Sequence, residues 1–397
     1  MTDPSLRYDA VSPLPGEEGA RLVARVWLPG DPPGPAVVAV RDGRLVDLSR
    51  HAPTMSALLE RDDLLELVEE GEGPVVGELA EVVHNSRWDR RLPERPWLLA
   101  PCDLQAVKAA GVTFVRSLLE RVVEEQARGD PARAAEVRAE LEREIGGALS
   151  GLRPGTPQAD RLRQALEARG RWSQYLEVGL GPDAEIFTKA QPMAAVGHGA
   201  LVGVHPRSRW NNPEPELVLA VDSRGRIRAA TLGNDVNLRD FEGRSALLLG
   251  RAKDNNASCA IGPFLRLIDD RFPPARLRDL TIHLEVSGED GFRLEADSAM
   301  ADIARDPEEL VAQTLSPVHD YPDGLMLFLG TPFAPVQDRD APGMGFTHHP
   351  GDVVTIRSEA LGALVNRVDS CERVPRWEFG VRALMHNLAA RGLLGPS

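Results

Sequence analysis

The spacing of hydrophobic residues changes along the chain. Over the first hundred or so residues, short apolar runs such as RLVARVWL and PAVVAVRDGRLVDL alternate with turns rich in Gly, Pro and Asp. This alternation predicts β-strands, and the stretch TMSALLERDDLLELVEE predicts a helix. The prolines of RLPERPWLLAP then indicate a boundary. We therefore expect a small β-rich N-terminal domain at residues 1–104 and a second domain at residues 105–397.

A helical pattern follows, because apolar residues recur at three- and four-residue spacings between about 115 and 180. Asp130 before Pro131 is typical of the cap and first turn of a helix. After Gly179 the pattern returns to strands and turns almost to the C-terminus, with one more helix near residues 306–313. Together these segments predict an α+β fold.

Composition narrows the class of protein. The chain has 397 residues, of which 42% are hydrophobic and 27% charged, which is typical of a globular protein without membrane spans. A net charge of -14 argues against nucleic acid or an anionic membrane as a partner. The N-terminal sequence lacks signal-peptide features, and Cys102, Cys259 and Cys371 lack metal-ligand spacing. We therefore expect a cytoplasmic protein.

Two candidate strands, ELVLAV and RIRAATLG, are joined by DSRG, which is typical of a tight hairpin turn. Such a turn places Glu216 opposite Thr231 and Glu214 opposite Gly233. Because side chains alternate between the faces of a strand, Glu214, Glu216 and Asp235 then project from the same side of the hairpin.

Three clustered carboxylates repel one another, so they must take up protons, remain open to water or hold a cation. Oxygen ligands suit Mg²⁺, Mn²⁺ or Ca²⁺, and they leave coordination positions free for water or substrate. The sequence therefore predicts a metal site at Glu214, Glu216 and Asp235. The alternative is that these residues simply face solvent from an ordinary surface strand.

Several segments, in order and at matching spacings, resemble the fumarylacetoacetate hydrolase family: EPELVLAV, TLGNDVNLRD, KDNNASCAIGPF, LFLGTP and HHPGDVVTIRSEALGALVNRV. The resemblance covers roughly residues 105–370. It implies the family's β-roll, a twisted mixed sheet rolled around the metal, preceded by the β-rich N-terminal domain. It also implies a homodimer or a dimer of dimers.

The resemblance also implies roles for individual residues. In the family the matching acidic residues bind Mg²⁺ or another divalent ion, which supports the metal site. The residues that match the family's substrate side, with Lys189 of FTKAQP as a further candidate, are Arg239, Lys253, Gly330, Thr331 and Lys189. The alternatives are surface salt bridges for the cations and plain turn chemistry for Thr331.

One position departs from the family's hydrolases. They resemble G-x-N-Y-x-x-H-x-x-E, whereas the matching stretch here is GVTFVRSLLE, with Ser117 where the histidine stands. Serine does not titrate near neutral pH and cannot replace histidine as a general base, which puts the usual hydrolytic route in doubt. The histidines that could replace it from elsewhere in the chain are His198, His205, His348 and His349.

A branch of the family that dehydrates 2-keto-3-deoxy sugar acids looks more similar, through a GVT(F/Y)xxS stretch and through EIFTKAQP and WNNPEPE. Dehydration needs no activated water, so it tolerates a serine at this position. Candidate acid/base groups are Lys253 and the pair Glu120 and Glu124, which lie one helical turn apart. Either glutamate could instead be an ordinary solvated residue, and Ser117 could bind a substrate hydroxyl or cap its helix.

The predicted function is therefore Mg²⁺-dependent dehydration of a 2-keto-3-deoxy sugar acid. A 2-keto-3-deoxypentonate such as 2-keto-3-deoxy-D-xylonate or D-arabinonate would give 2,5-dioxopentanoate, as part of pentose catabolism. One alternative is a hydrolase that cleaves the C–C bond of a 2,4-dioxo acid of the acylpyruvate type. Another is a protein that binds a sugar acid without turnover.

Overall fold

A computed structural model of the protein describes residues 6–145, 152–168, 170, 173–333, 335 and 337–394. Strands and helices are both abundant in these residues, which confirms the predicted α+β class. No helix among them is long and apolar enough to cross a membrane. Cys102, Cys259 and Cys371 are free thiols.

The strands are, in chain order, β1 Leu22–Leu28, β2 Gly34–Arg41, β3 Arg44–Asp47, β4 Val75–Glu78, β5 Trp97–Leu99, β6 Ala106–Gly111, β7 Glu185–Ala190, β8 Leu201–Val204, β9 Asn211–Asn212, β10 Pro215–Val221, β11 Ile227–Asp235, β12 Asn237–Leu238, β13 Cys259–Leu267, β14 Thr281–Ser287, β15 Arg293–Ala299, β16 Leu325–Phe328, β17 Val353–Ser358 and β18 Gly362–Ser370. The α-helices are α1 Leu6–Ala10, α2 Met55–Leu59, α3 Leu64–Glu70, α4 Leu79–Ser86, α5 Val115–Ala127, α6 Pro131–Ile145, α7 Pro157–Ala168, α8 Gln174–Leu180, α9 Arg239–Glu242, α10 Leu249–Lys253, α11 Pro307–Thr314 and α12 Val381–Ala390.

Two sheets form the body of the protein. The larger has 11 strands in the order β4-β3-β2-β1-β13-β11-β10-β16-β6-β7, with β5 added beside β1. It is mixed, since β16 and β6 are parallel while β10 and β11 form an antiparallel hairpin. The smaller sheet has five strands in the order β15-β14-β17-β18-β8.

Strand β10 lies at the centre of the larger sheet and is buried on both faces. Leu217 and Leu219 pack into the apolar core shared with strands of the smaller sheet, whereas Val218 and Ala220 pack into a second core on the opposite face. This two-sided burial explains why β10 is almost entirely apolar. Glu216, two positions before Val218, therefore points to the side of the second core.

The predicted helical segment is confirmed, since α5 to α8 lie within it. These helices share their own core with Trp210. The cap at Asp130 is also confirmed, because its Oδ1 accepts a hydrogen bond from the Ala132 N–H at 3.0 Å. The later helix predicted near residues 306–313 is α11, whose cap Asp306 accepts from the Glu308 N–H at 3.0 Å.

The N-terminal strands are not separate from the rest of the protein, because β1 pairs with β2 on one side and with β13 on the other. The division at residue 104 stays a prediction, and the larger sheet runs across it. The single predicted helix of this region consists of two short helices, α2 and α3. Helices α4 and α12 were not predicted.

Candidate metal centre

The β10–β11 hairpin carries the predicted metal ligands, but its predicted register is wrong by two residues. Glu216 lies opposite Gly233, and it is Val218 that lies opposite Thr231. The cause is local: Val221 pairs with Ile227, so the connection is one residue longer than the predicted DSRG turn, and a β-bulge after Ala220 adds the second residue. A shift of two residues leaves every side chain on its predicted face.

The hairpin therefore brings Glu214, Glu216 and Asp235 together. Each offers a carboxylate oxygen within 4.8 Å of the others, and all three side chains are buried. The Asp235 N–H donates to the carbonyl of Glu214 at 3.0 Å, which fixes the two residues directly across the hairpin. The alternative of an ordinary solvent-facing strand is excluded by this burial.

Backbone and cationic groups surround these carboxylates. The Gly330 N–H donates to Glu216 Oε2 at 2.6 Å. Lys253 Nζ donates to Glu214 Oε2 and, at 3.0 Å, to Asp235 Oδ2. On the other side of Asp235, the fully buried Lys189 Nζ lies 2.8 Å from Oδ1. Lys253 and Lys189 thus neutralise part of the negative charge.

Ionisation of the cluster is uneven. Burial, with the negative charges of Asp235 and Glu214, raises the pKa of Glu216 well above its usual range. Burial acts in the same direction on Asp235, but Lys189 and Lys253 outweigh it and lower the pKa of that carboxyl. Within the described residues, no lysine or arginine forms an ion pair with Glu216, whereas Glu214 and Asp235 each pair with Lys253. An oxygen-only donor set with unbalanced negative charge fits a hard divalent cation, and the three carboxylates could hold one.

The carboxylates open onto a narrow cavity of about 20 Å³, which has room for about one water molecule or ion. Ser117 and Thr331, for which the sequence predicts substrate binding, lie on its wall. The Ser117 hydroxyl donates to the carbonyl of Phe114 at 2.8 Å. The Thr331 hydroxyl accepts from the Phe333 N–H at 3.0 Å. Helix α5, which carries Ser117, therefore forms one side of the cavity.

Glu120, Glu124 and Arg239 lie beside the cavity and not on its described wall. Arg239 Nη2 lies 2.9 Å from Glu120 Oε2, and its Nε donates to Glu124 Oε1 at 2.7 Å. Arg138 binds both oxygens of Glu120. The Arg239 guanidinium also stacks 4.2 Å from the ring centre of Trp210. This buried network ties α5 to α9 and α6.

Three charged residues of the wall were not predicted from the sequence: Arg121, Glu185 and Glu242. Arg121 Nη1 lies 2.7 Å from Glu242 Oε2, and its Nη2 donates to Glu214 Oε1. Burial raises the pKa of Glu185, and it raises the pKa of Glu242 to about 7. Glu185 opens the EIFTKAQP segment, which was the one available signal. Nothing in the local sequence distinguishes Arg121 or Glu242 from solvated residues.

The described wall contains none of the four candidate histidines, His198, His205, His348 and His349. His198 Nδ1 accepts from the Val365 N–H at 3.2 Å, and burial lowers the pKa of this imidazole to about 3. His348 Nδ1 lies 3.2 Å from Asp352 Oδ2. These two imidazoles have structural partners away from the carboxylates.

Comparison with protein-family models identifies one match, to the C-terminal domain of fumarylacetoacetate (FAA) hydrolase, at residues 167–369. The chain belongs to the fumarylacetoacetate hydrolase family. The match includes all three candidate metal ligands, and the predicted resemblance is confirmed.

Two curated relatives are similar to the chain. A 2-dehydro-3-deoxy-D-arabinonate dehydratase of Saccharolobus solfataricus is 33% identical over 190 residues, which are 48% of this chain and 60% of that protein. A probable 2-keto-3-deoxyxylonate dehydratase of Haloferax volcanii is 32% identical over 194 residues, which are 49% of this chain and 63% of that protein. The chain thus aligns with less than two thirds of the length of either relative.

A solved structure extends the likeness in fold to most of the chain. The 2-keto-3-deoxy-D-arabinonate dehydratase complexed with magnesium and 2,5-dioxopentanoate superposes with a TM-score of 0.60 at 22% identity. The superposition covers 88% of this chain and 99% of that one. It confirms the predicted family fold.

Proposed function

We propose that the protein is a metal-dependent hydro-lyase that dehydrates a 2-keto-3-deoxy sugar acid. The observation that carries this proposal is a cavity walled by three carboxylates and by Lys253, Glu185 and Ser117, with no histidine on the wall that the structure describes. Hydrolysis would need a base for water at the position of Ser117, whereas elimination does not. The names of the two curated relatives support the same reaction.

We assign the metal to Glu214, Glu216 and Asp235, and magnesium is the ion that the family implies. When bound, the ion would supply Lewis-acid polarisation of a 2-oxo acid, which makes the protons at C3 more acidic. Lys189 would hold Asp235 from behind, and the Gly330 N–H would orient Glu216.

Glu185 is our candidate for the base that takes the C3 proton. Its carboxyl lies on the cavity wall, and no cation among the described residues lies within ion-pair distance of it. Because burial raises the pKa of Glu185, its carboxylate holds a proton more strongly than an exposed one would. We assign the buried Glu120 and Glu124 to positioning Arg239, in place of the acid/base role that the sequence suggested.

Lys253 is our candidate for the group that assists the leaving hydroxyl. Although burial opposes it, the charges of Asp235 and Glu214 raise the pKa of Lys253, so its ammonium stays protonated at neutral pH. The C3–H electron pair would form the C3–C4 double bond as the C4–O bond breaks. The proton from Lys253 would leave with the hydroxide as water, and the unsaturated product would tautomerise to a 2,5-dioxo acid.

The test is product analysis by NMR with purified protein, Mg²⁺ and either a 2-keto-3-deoxypentonate or a 2,4-dioxo acid. The proposal expects a 2,5-dioxo acid from the first substrate, no pyruvate from the second, and loss of turnover in Glu216→Gln. Glu78→Gln, which changes an exposed carboxylate outside the cavity, is the control and should turn over normally. Pyruvate from the dioxo acid would establish the hydrolase in its place.

The remaining expectations stay predictions. They are a role in pentose catabolism, a cytoplasmic location and assembly as a homodimer or a dimer of dimers. C4 is the only stereocentre of a 2-keto-3-deoxypentonate, so the D-xylonate and D-arabinonate derivatives are the same compound. Product analysis with the D and L enantiomers run separately decides the stereochemistry of the substrate.

A further inference from the structure

Two cationic side chains lie on the described wall of the cavity, Arg121 and Lys253. Lys253 is enclosed by the carboxylates, since its ammonium donates to both Glu214 and Asp235. Arg121 approaches from the other side, on helix α5, and its Nη2 donates to Glu214 Oε1. Arg121 is therefore the cation that faces the carboxylates across the cavity.

The guanidinium of Arg121 is held from behind by two further acids. Its Nη1 donates to Glu124 Oε2 at 2.8 Å and lies 2.7 Å from Glu242 Oε2. All three acidic partners are buried, whereas the Arg121 side chain remains 12% exposed. Glu124 and Glu242 thus fix the orientation of the planar group, and its Nη2 edge points into the site.

We propose that Arg121 binds the carboxylate of the 2-oxo acid substrate and so determines specificity for anionic substrates; this rests on the proposed function for the identity of that acid. Nη2 now donates to a carboxylate oxygen of Glu214, and a substrate carboxylate offers the same acceptor chemistry. An arginine held in a fixed plane suits this task because its N–H groups match carboxylate geometry.

Arg239, which the sequence suggested for this role, is unsuited to it. Its side chain is 1% exposed, and it is bound by Glu120, Glu124 and the carbonyl of Pro335. Glu124 forms ion pairs with both Arg239 and Arg121. Arg239 therefore helps to hold Glu124 in place, and Glu124 in turn orients Arg121. We therefore place Arg239 behind the substrate-binding group.

The test measures binding of pyruvate, the simplest 2-oxo acid, and of its neutral methyl ester by calorimetry in the presence of Mg²⁺. In Arg121→Gln, pyruvate should bind about 10-fold to 100-fold more weakly, the range for a lost hydrogen bond to a charged group, while the ester changes less than about threefold. Arg116→Gln removes an exposed arginine of the same helix and should change neither affinity. Mg²⁺ affinity, measured alone, should stay within about threefold in Arg116→Gln. In Arg121→Gln it is measured first because Arg121 contacts Glu214, so that pyruvate and ester are compared at saturating Mg²⁺ in every variant.

Equal weakening of pyruvate and ester, or unchanged pyruvate binding, would overturn the assignment. Because Arg121 neutralises three buried acids, the double variant Arg121→Gln/Glu242→Gln provides a folded alternative if the single variant unfolds, with the same expected loss for pyruvate alone. Arg121-dependent pyruvate binding without turnover of any 2-keto-3-deoxy acid would sustain this inference while refuting the proposed function. Turnover of a 2-keto-3-deoxy acid by the wild type, with unchanged pyruvate binding in Arg121→Gln, would support the proposed function and refute the assignment of Arg121.

Discussion

Lys189 Nζ lies 2.8 Å from Asp235 Oδ1, and both side chains are almost completely buried. The ammonium also donates to the carbonyl of Val236 at 3.3 Å and to the carbonyl of Lys253. Lys189 is therefore behind the carboxylates and not on the described wall of the cavity. The sequence placed it on the substrate side, but its contacts are those of a residue that holds Asp235 and the end of α10 in position.

Replacing Lys189 by methionine should lower the free energy of unfolding by about 3–5 kcal/mol, because it leaves the Asp235 carboxylate buried without one of its partners. Urea unfolding without added metal measures this. Lys108→Met on the adjacent strand β6 is the control, since Lys108 Nζ donates to Thr188 at an exposed position, and a change within about 0.5 kcal/mol is expected. Equal effects of the two substitutions would argue against the supporting role.

Glu216→Gln should weaken Mg²⁺ binding without destabilising the metal-free protein. The amide removes one negative charge from a cluster in which Asp235 and Glu214 already destabilise the ionised form of Glu216. We expect Mg²⁺ affinity by calorimetry to fall more than about tenfold, while the metal-free variant melts no lower than the wild type at neutral pH. A lower melting temperature with normal Mg²⁺ affinity would show that Glu216 has a structural role only.

Glu242 should make stability depend on pH. Its pKa is raised from 4.5 to about 7 in the folded protein, so the folded state binds this proton more tightly than the unfolded state. The resulting stabilisation is complete below about pH 4.5 and is lost as the pH rises through about 7. Between pH 5 and 8, the stability of Glu242→Gln relative to the wild type should therefore increase by about 2–3 kcal/mol.

Denaturant unfolding of both proteins at each pH provides the measurement. The constant effect of losing the contact between Glu242 and Arg121 cancels when the two pH values are compared. Parallel pH profiles for wild type and Glu242→Gln would show that this carboxyl does not take up a proton near neutral pH.

Arg305 should control the stability of the loop after helix α8. It is 2% exposed and donates to the carbonyls of Val178 at 2.9 Å and Gly181 at 2.7 Å. Arg305→Met would leave these carbonyls without their donor, which costs about 1–3 kcal/mol for each buried group. Hydrogen exchange should accelerate in residues 174–185 and remain unchanged in β14. Uniform acceleration across both regions would indicate global destabilisation instead.

The metal ligands could be predicted from the sequence because the information is local. Glu214, Glu216 and Asp235 lie on one hairpin, and alternation along a strand has a period of two, so an error of two residues in register left their common face intact. An error of one would have turned Asp235 away from the other two. Turn length and the bulge after Ala220 are the features that the sequence pattern did not reveal.

The rest of the cavity wall could not be derived in this way. Arg121, Glu185 and Glu242 come from α5, β7 and α9, and only the packing of these elements brings them to one place. Glu120 and Arg121 are neighbours on α5, yet Arg121 faces the carboxylates while Glu120 faces Arg138 and Arg239. Which charged residue of a helix faces a cavity is decided by partners distant in the sequence.

The pairing of β1 with β13 predicts how a truncated fragment of the protein would behave. Strand β13 is buried along its whole length, with β11 on one side and Val23 of β1 opposite Leu265 on the other. A fragment without residues 1–104 would present this apolar strand as an open edge, which invites association between molecules. We expect that fragment to aggregate when it is produced alone and to remain in solution when residues 1–104 are co-expressed as a separate chain. By covering the edge of β13, the N-terminal strands would prevent association between molecules.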